Sequence, residues 1–275
     1  MSLTLRKGAR RSQLYVPGNN IKMLNKANSL PADSFIFDLE DSVPLELKKE
    51  ARNIIKGILE NMDWKERELC VRINSLDTVE SYHDMIAVSE MERVDCIIIP
   101  KTDRGISKIY KATGKSLIPL IETGEGLLQV EDIVREEGVC AVSWASGDLA
   151  LSLGGDLKSY DRNDYAAMKV LTAARTYGVE PIDKVFFDVS DSEKFISECI
   201  YAKGIGFSGK QVIHPSQVEL ANRVFSPSED EIAWAQRVIS SLDESSKTGK
   251  GAVKVDGKLV DKVHVEIAKK ILNSV

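Results

Sequence analysis

Short apolar runs rich in β-branched residues recur along the chain, separated by longer stretches of mixed polarity. Eight such runs occupy residues 14–17, 34–39, 69–74, 96–101, 117–123, 141–146, 185–189 and 211–214. Runs of this length are typical of strands that are buried on both faces of a sheet. The pattern therefore predicts eight strands.

Helical patterns fill seven of the eight gaps between and after these runs. Residues 44–59 are an example, since they open with Pro44 and repeat apolar residues at helical spacing along one face. Strands that alternate with helices predict a parallel sheet, and eight of them predict a closed (β/α)₈ barrel of the TIM type. An open doubly wound sheet is the alternative fold.

Beyond the eighth run, residues 230–242 and 260–272 carry two further helical patterns. The segment between them, residues 243–258, is polar and glycine-rich, which is typical of a mobile loop or a small hairpin. We therefore expect a barrel domain over residues 1–225 and a helical extension over residues 226–275, which caps the site or reaches a neighbouring subunit.

Length and composition suit one soluble barrel. The chain has 275 residues, 43% of them hydrophobic, and a net charge of −5 that argues against nucleic-acid binding. No apolar run approaches the length of a membrane span, and the first residues lack the apolar segment of a signal peptide. We expect a cytoplasmic protein that binds neither membranes nor nucleic acids.

The four cysteines are spread singly along the chain and form no CxxC pair. They are Cys70, Cys96, Cys140 and Cys199. Paired spacing is what marks zinc sites and disulfide frameworks in a sequence. We expect buried thiols that pack in the core of a protein from a reducing compartment.

Two carboxylates stand where predicted strands give way to glycine-containing turns. Glu122 precedes Thr123-Gly124, and Asp148 follows Ser146-Gly147. In a parallel barrel both side chains reach the rim at the carboxyl ends of the strands, where barrel enzymes hold their chemistry. Oxygen ligands of this kind suit Mg²⁺. The alternative interpretation is a helix cap and a solvated turn acid.

Further charged residues end three other predicted strands. Glu40 and Asp41 follow the second predicted strand. They are candidates for partners of a metal site, for proton carriers or for helix caps. Arg72 ends the third, where its guanidinium either recognises an anion or forms a structural salt bridge. Lys101 ends the fourth, and a salt bridge is favoured there over a Schiff base.

These residues lie in segments that resemble a known family, the citrate lyase β subunit with the malyl-CoA and citramalyl-CoA lyases of the HpcH/HpaI aldolase superfamily. The matching segments cover nearly the whole chain in order. They are RRSQLYVPGNN (10–20), MLNKA (23–27), DSFIFDLEDSVP (33–44), VRIN (71–74), DCIIIPKT (95–102), LIPLIETGEGL (117–127), WASGDLALSLGGD (144–156) and GKQVIHPSQV (209–218).

The resemblance implies a (β/α)₈ barrel, a Mg²⁺ cofactor and an acyl-CoA thioester substrate. It implies that Glu122 and Asp148 bind the metal and that Arg72 binds the substrate. Glu40 and Asp41 would support the metal's water shell or the arginine.

The resemblance also implies a homo-oligomer, most simply a trimer, in which a neighbouring subunit completes the site. The aspartate that acts across the interface corresponds to Asp261. Here Lys262 and Val263 follow it, where the family has a proline. Lys26 and the basic N-terminal residues, Arg11 among them, are expected to contact the CoA phosphates.

The expected reaction is reversible cleavage of a 3-hydroxyacyl-CoA, such as citryl-, malyl- or citramalyl-CoA, to acetyl-CoA and a 2-oxo acid. Three alternatives remain open: a carrier-dependent citrate lyase β subunit, a CoA-independent aldolase acting on free 2-oxo acids, and a non-catalytic metabolite-binding protein on the same barrel.

Overall fold

A computed structural model describes residues 9–246 and 253–274. Its eight parallel strands close into a barrel in sequence order. They are β1 (Ser12–Pro17), β2 (Ser34–Asp38), β3 (Glu68–Arg72), β4 (Cys96–Ile99), β5 (Ser116–Ile121), β6 (Ala141–Trp144), β7 (Glu180–Asp183) and β8 (Gly209–Val212). Pairing of β8 with β1 closes the ring. The predicted barrel is therefore confirmed.

A helix lies in every connection between successive strands, as right-handed parallel crossovers require. The helices of the barrel are α1 (Ile21–Ala27), α2 (Lys48–Asn61, after a 3₁₀ turn at Leu45–Leu47), α3 (Val79–Ser89), α4 (Ser107–Thr113), α5 (Gly124–Ile133), α6 (Ser146–Leu153), α7 (Leu157–Tyr160), α8 (Asp164–Thr176), α9 (Ser192–Ile205) and α10 (Pro215–Phe225).

The seventh strand was predicted in the wrong place. It was expected at residues 185–189, but β7 is Glu180–Asp183, which pairs with both neighbouring strands. Residues 185–189 are a loop after the strand, in which Phe186 packs on Phe195 of α9 with ring centroids 5.9 Å apart. Phe186 thus packs on a helix, while Phe187 and Val189 are exposed, and composition alone does not distinguish such a loop from a strand.

The barrel interior is apolar in its middle and polar at both ends. Its apolar cluster contains Ile36, Ile98, Ile118, Leu120 and Ile182, contributed by four different strands. Burial of such side chains is the main stabilising contribution to a barrel core. Polar residues at the two ends are thus separated by a layer of packed hydrocarbon.

The chain divides into two compact units between Asn222 and Arg223, within α10. The second contains α11 (Glu229–Ser246), β9 (Val253–Val255), β10 (Lys258–Val260) and α12 (Lys262–Leu272). Strands β9 and β10 form an antiparallel hairpin whose turn, Asp256-Gly257, has positive φ at both residues, as tight hairpin turns require. The predicted small hairpin is present, although residues 247–252 lie outside the described part.

None of the helices in the described part of the chain is both long and apolar enough to cross a membrane.

A substitution at Gly209 tests how closely β8 approaches the chain that leads into β1. A Cβ atom there would collide with the carbonyl oxygen of Arg10. We expect Gly209→Ala to lower the free energy of unfolding by about 1–3 kcal/mol or more, since both atoms belong to paired backbone. Urea unfolding measures this.

Gly57→Ala is the matched control, because Gly57 lies inside α2 with no atom within 4 Å of an added Cβ. It should raise stability by roughly 0.5–1 kcal/mol. Equal effects of the two substitutions would contradict the close approach of β1 and β8.

Candidate active site

The carboxyl ends of β2, β5 and β6 bring three carboxylates to one rim of the barrel. Glu122 directly follows β5, Asp148 lies in the first turn of α6 after β6, and Glu40 follows β2 by two residues. The pKa of Glu122 responds to the charges of Asp148 and Glu40. The structure therefore brings together the acids that the sequence nominated from separate segments.

Glu122 is held in a state that resists ionisation. Burial raises the pKa of its carboxyl group to about 8, and the nearby carboxylates of Asp148 and Glu40 add to the effect. The backbone N–H of Lys101 donates to its Oε1 atom at 2.8 Å and opposes the shift. A nearby cation would stabilise the charged form.

Lys101 places its ammonium group among these acids. Its Nζ atom lies 2.9 Å from Glu40 Oε1 and 3.8 Å from Asp148 Oδ1, so the salt bridge favoured from the sequence is present. The residue has φ of 45°, a left-handed conformation that costs a non-glycine residue free energy. That conformation directs its N–H at Glu122 while its side chain reaches Glu40.

Arg72, the last residue of β3, is fixed by a two-point contact. Its Nε and NH2 atoms donate to the two oxygens of Asp38 at 2.6 and 2.8 Å, and NH1 lies 3.0 Å from Glu40 Oε2 and 3.3 Å from Asp41 Oδ2. The guanidinium also stacks over Tyr15, 5.0 Å from the ring centroid. This two-point contact fixes both the plane and the direction of the guanidinium group.

Asp38 is the principal partner of Arg72, a role that the sequence analysis did not assign. Burial alone would raise the pKa of Asp38, but the Arg72 hydrogen bonds and a further bond from Ser42 lower it below its usual value. The sequence signal for this role is the alternation of side chains along β2, which places Asp38 and Glu40 on the same side of the strand. Tyr15 was also missed, although it lies in the first predicted strand.

The donor set suits a hard divalent cation. Glu122 and Asp148 supply carboxylate oxygens, and Glu40 Oε2 is buried without a well-directed hydrogen bond, although Arg72 NH1 is 3.0 Å away. The ammonium of Lys101 shows that a cation is accommodated beside these acids. Carboxylates with room for water are the ligands that Mg²⁺ takes.

Arg11 lies elsewhere. It precedes β1, at the end of the barrel opposite Glu122, and its Nε atom lies 2.8 Å from Asp33 Oδ2. It is therefore not part of this site. Arg10, another of the basic N-terminal residues, is buried at that same end, while Arg6 and Lys7 lie outside the described residues.

Two other nominated residues have clear positions. Lys26 is exposed in the last turn of α1, in the barrel unit. Asp261 belongs to the second unit and caps α12, accepting from the backbone N–H groups of Val263 and His264. Its Oδ1 atom lies 2.7 Å from His264 Nδ1, and these bonds lower the pKa of Asp261.

Comparison with known proteins agrees with this architecture. The family model described as HpcH/HpaI aldolase/citrate lyase matches residues 11–215, so the chain belongs to that family. The resemblance read from the motifs is confirmed.

Named relatives match over nearly their full length. The chain is 38% identical to a (3S)-malyl-CoA thioesterase of Cereibacter sphaeroides, covering 95% of this chain and 93% of that protein. It is 33% identical to the L-malyl-CoA/beta-methylmalyl-CoA lyase of Rhodobacter capsulatus, with the same coverages. The solved structure of CitE from Mycobacterium tuberculosis in complex with magnesium, acetoacetate and coenzyme A has a TM-score of 0.83 and 28% identity, covering 98% and 99%.

Lys101→Met tests whether the ammonium group of Lys101 offsets the negative charge of the carboxylates at the rim. Without the ammonium, Glu40 and Asp148 lose a counter-charge, so we expect the melting temperature in EDTA to fall by about 2–4 °C, the shift that roughly 1 kcal/mol produces in a domain of this size. Mg²⁺ should then raise the melting temperature more in the variant than in the wild type, because the ion no longer competes with the ammonium group for the carboxylates. A ligand that binds the folded state stabilises that state.

Lys56→Met is the control, since its ammonium pairs with Glu90 on the exposed surface. That variant should melt like the wild type with and without Mg²⁺. An unchanged melting temperature for Lys101→Met, or an equal response of all three proteins to Mg²⁺, would contradict the assignment.

Proposed function

We propose that this protein is a Mg²⁺-dependent carbon–carbon lyase that cleaves or forms a 3-hydroxyacyl-CoA, with acetyl-CoA and a 2-oxo acid as the partner species. The observation that carries the proposal is the pairing of a carboxylate cluster at Glu122 and Asp148 with a rigidly held guanidinium at Arg72. The first suits a dication and the second suits an oxyanion, and both lie at the catalytic rim of the barrel.

Glu122 and Asp148 are the residues that would hold Mg²⁺. When bound, the ion supplies Lewis-acid polarisation to oxygens of the substrate. Support comes from CitE of Mycobacterium tuberculosis, whose complex contains magnesium together with acetoacetate and coenzyme A. Lys101 keeps Glu122 directed through its backbone N–H, and keeps Glu40 in place through its ammonium.

Arg72 is suited to stabilise the enolate oxygen that forms when the carbon–carbon bond breaks. Because Asp38 grips its Nε and NH2 atoms and Tyr15 supports its plane, the guanidinium is oriented before substrate arrives. Preorganised charge of this kind lowers the barrier without reorganisation during the reaction. Glu40, in contact with both Arg72 and Lys101, links the arginine to the metal site.

Protonation of the enolate carbon requires a general acid. We assign this step to Asp261 of a neighbouring subunit, with Asp41 as the second candidate; Asp261 can donate a proton only once its contact with His264, which lowers its pKa, is broken. The side chain of Asp41 is 63% exposed and lies 3.3 Å from Arg72 NH1. Asp261 is held by a capping box, which fixes its carboxylate at the start of α12.

The proposed assembly is a cytoplasmic homotrimer. Large apolar side chains are exposed on the barrel unit, including Leu151 at 80%, Tyr165 at 66% and Phe187 at 57%. Exposed apolar side chains of this size support packing against another copy of the chain where they lie together on one surface. Lys26, exposed on α1, is the proposed contact for CoA phosphates.

A second activity is favoured by one comparison. The Cereibacter relative at 38% identity is named a malyl-CoA thioesterase. Hydrolysis of the thioester bond at the same site is therefore the alternative reaction, with free CoA and a hydroxy acid as products.

Glu122→Gln should abolish formation of acetyl-CoA from malyl-CoA while leaving circular dichroism unchanged, because an amide is a poor Mg²⁺ ligand. Acyl-CoA species would be followed by mass, with Mg²⁺ and with EDTA. Glu125→Gln, an exposed change in the first turn of α5, is the matched control and should stay active. Near-normal turnover of Glu122→Gln would remove the metal assignment.

Co-expression of two inactive variants tests the shared site. If Asp261 acts in a neighbouring subunit, mixed oligomers of Glu122→Gln and Asp261→Asn regain intact sites, and in a cyclic trimer about one site in three is intact in every mixed oligomer. The two variants carry different tags, and mixed oligomers are isolated through both. Activity no higher than that of either variant alone would show that Asp261 does not act across an interface.

A further inference from the structure

A buried lysine holds the turn that carries Glu40. Lys48, the first residue of α2, donates from its Nζ atom to the backbone carbonyl oxygens of Leu39 and Glu40, at 2.8 and 2.9 Å. These carbonyl groups belong to the two peptide units on either side of the Glu40 Cα atom. One ammonium group therefore fixes the backbone at the point where the Glu40 side chain leaves it.

The same helix reaches this turn a second time. Asn74 Nδ2 also donates to the Leu39 carbonyl oxygen, at 3.0 Å, and to Asp84 Oδ2 at 2.6 Å. Arg52 of α2 donates to the other oxygen of Asp84 at 2.7 Å. Because residues four apart share a helix face, one face of α2 contacts the turn directly through Lys48 and indirectly through Arg52.

The charge of Lys48 has no carboxylate partner in the described part of the chain. Both acceptors of its ammonium group are backbone carbonyl oxygens of the turn. Burial of a charge costs free energy, so an apolar side chain would serve equally well if the residue only packed α2 against the barrel. The contacts therefore indicate that the ammonium group serves the turn.

Glu40 depends on its backbone for its position. Its Oε1 atom lies 2.9 Å from Lys101 Nζ, and its Oε2 atom lies 3.0 Å from Arg72 NH1 without a well-directed hydrogen bond. An ammonium group acts as a point charge, which fixes a distance more than a direction. A shift of the backbone at Glu40 would thus alter its contacts with both cations at once.

We propose that Lys48 is a positioning residue of the active site. It fixes the backbone at Glu40 and thereby keeps the Glu40 carboxylate in contact with Arg72 and Lys101. Its effect on catalysis rests on the proposed function, since those two cations belong to the proposed lyase site. Its effect on the position of Glu40 is independent of the reaction.

Lys48→Met removes the ammonium group and keeps a side chain of similar length. For cleavage of malyl-CoA, we expect kcat to fall by about tenfold or more and KM to change by about twofold or less, as for a lost interaction that supports the transition state. In a Glu40→Gln background, Lys48→Met should have little further effect on kcat, because residues that act as a unit are not additive. Lys49→Met, its exposed neighbour, is the matched control and should keep the wild-type kcat and KM.

A double-mutant cycle on melting temperature tests the positioning without any turnover. Lys101→Met removes the ammonium group that contacts Glu40 Oε1. If Lys48 holds Glu40 in place for that contact, the fall in melting temperature caused by Lys101→Met in EDTA should shrink to about half or less in the Lys48→Met protein. With Lys49→Met in place of Lys48→Met, the fall should be unchanged.

Additive shifts in melting temperature for Lys48→Met and Lys101→Met would overturn the proposal, whether or not the wild type is a lyase. Unchanged kcat in Lys48→Met, or additive effects with Glu40→Gln, would also overturn it. A wild type that cleaves none of the acyl-CoA substrates would instead defeat the proposed function, and the melting cycle would decide the role of Lys48. If Lys48→Met does not fold, Lys48→Gln takes its place in both experiments, with the same expected outcomes.

Discussion

An excess of negative charge at the carboxyl rim of the barrel governs the chemistry of this protein. Five carboxylates converge there on two cationic side chains; the acids are Asp38, Glu40, Asp41, Glu122 and Asp148, and the cations are Arg72 and Lys101. Arg72 satisfies Asp38, and Lys101 is shared between Glu40 and Asp148. Glu122 is left with a strongly raised pKa, so a dication is the natural partner for the remaining charge.

The opposite end of the barrel also contains buried charge. Arg10 is buried there between Glu68 and Glu180, and removal of both partners would leave a buried charge uncompensated. The apolar layer around Ile36, Ile98 and Leu120 separates this pair from the active-site rim. The two polar ends of the barrel therefore differ, since carboxylates gather at one and a buried arginine with its ion pairs lies at the other.

The sequence predicted the features that follow from the order of residues along the chain, namely the strands, the helices and the residues at strand ends. Strand ends followed by glycine turns identified Glu122 and Asp148, and the alternation of strands and helices identified the barrel. It did not reveal contacts made across the barrel, such as the ion pairs of Arg10, because their partners lie on strands distant in sequence. The position of β7 was missed because the following loop, whose Phe186 packs on α9, resembles a strand in composition.

We propose carbon–carbon cleavage rather than thioester hydrolysis as the principal reaction, with Arg72 held beside the proposed metal carboxylates. Mass analysis of the products formed from malyl-CoA by the wild-type protein tests this most directly. The account predicts acetyl-CoA and glyoxylate in equal amounts, in a reaction that EDTA stops. Free CoA and malate, with no acetyl-CoA at any stage, would contradict it.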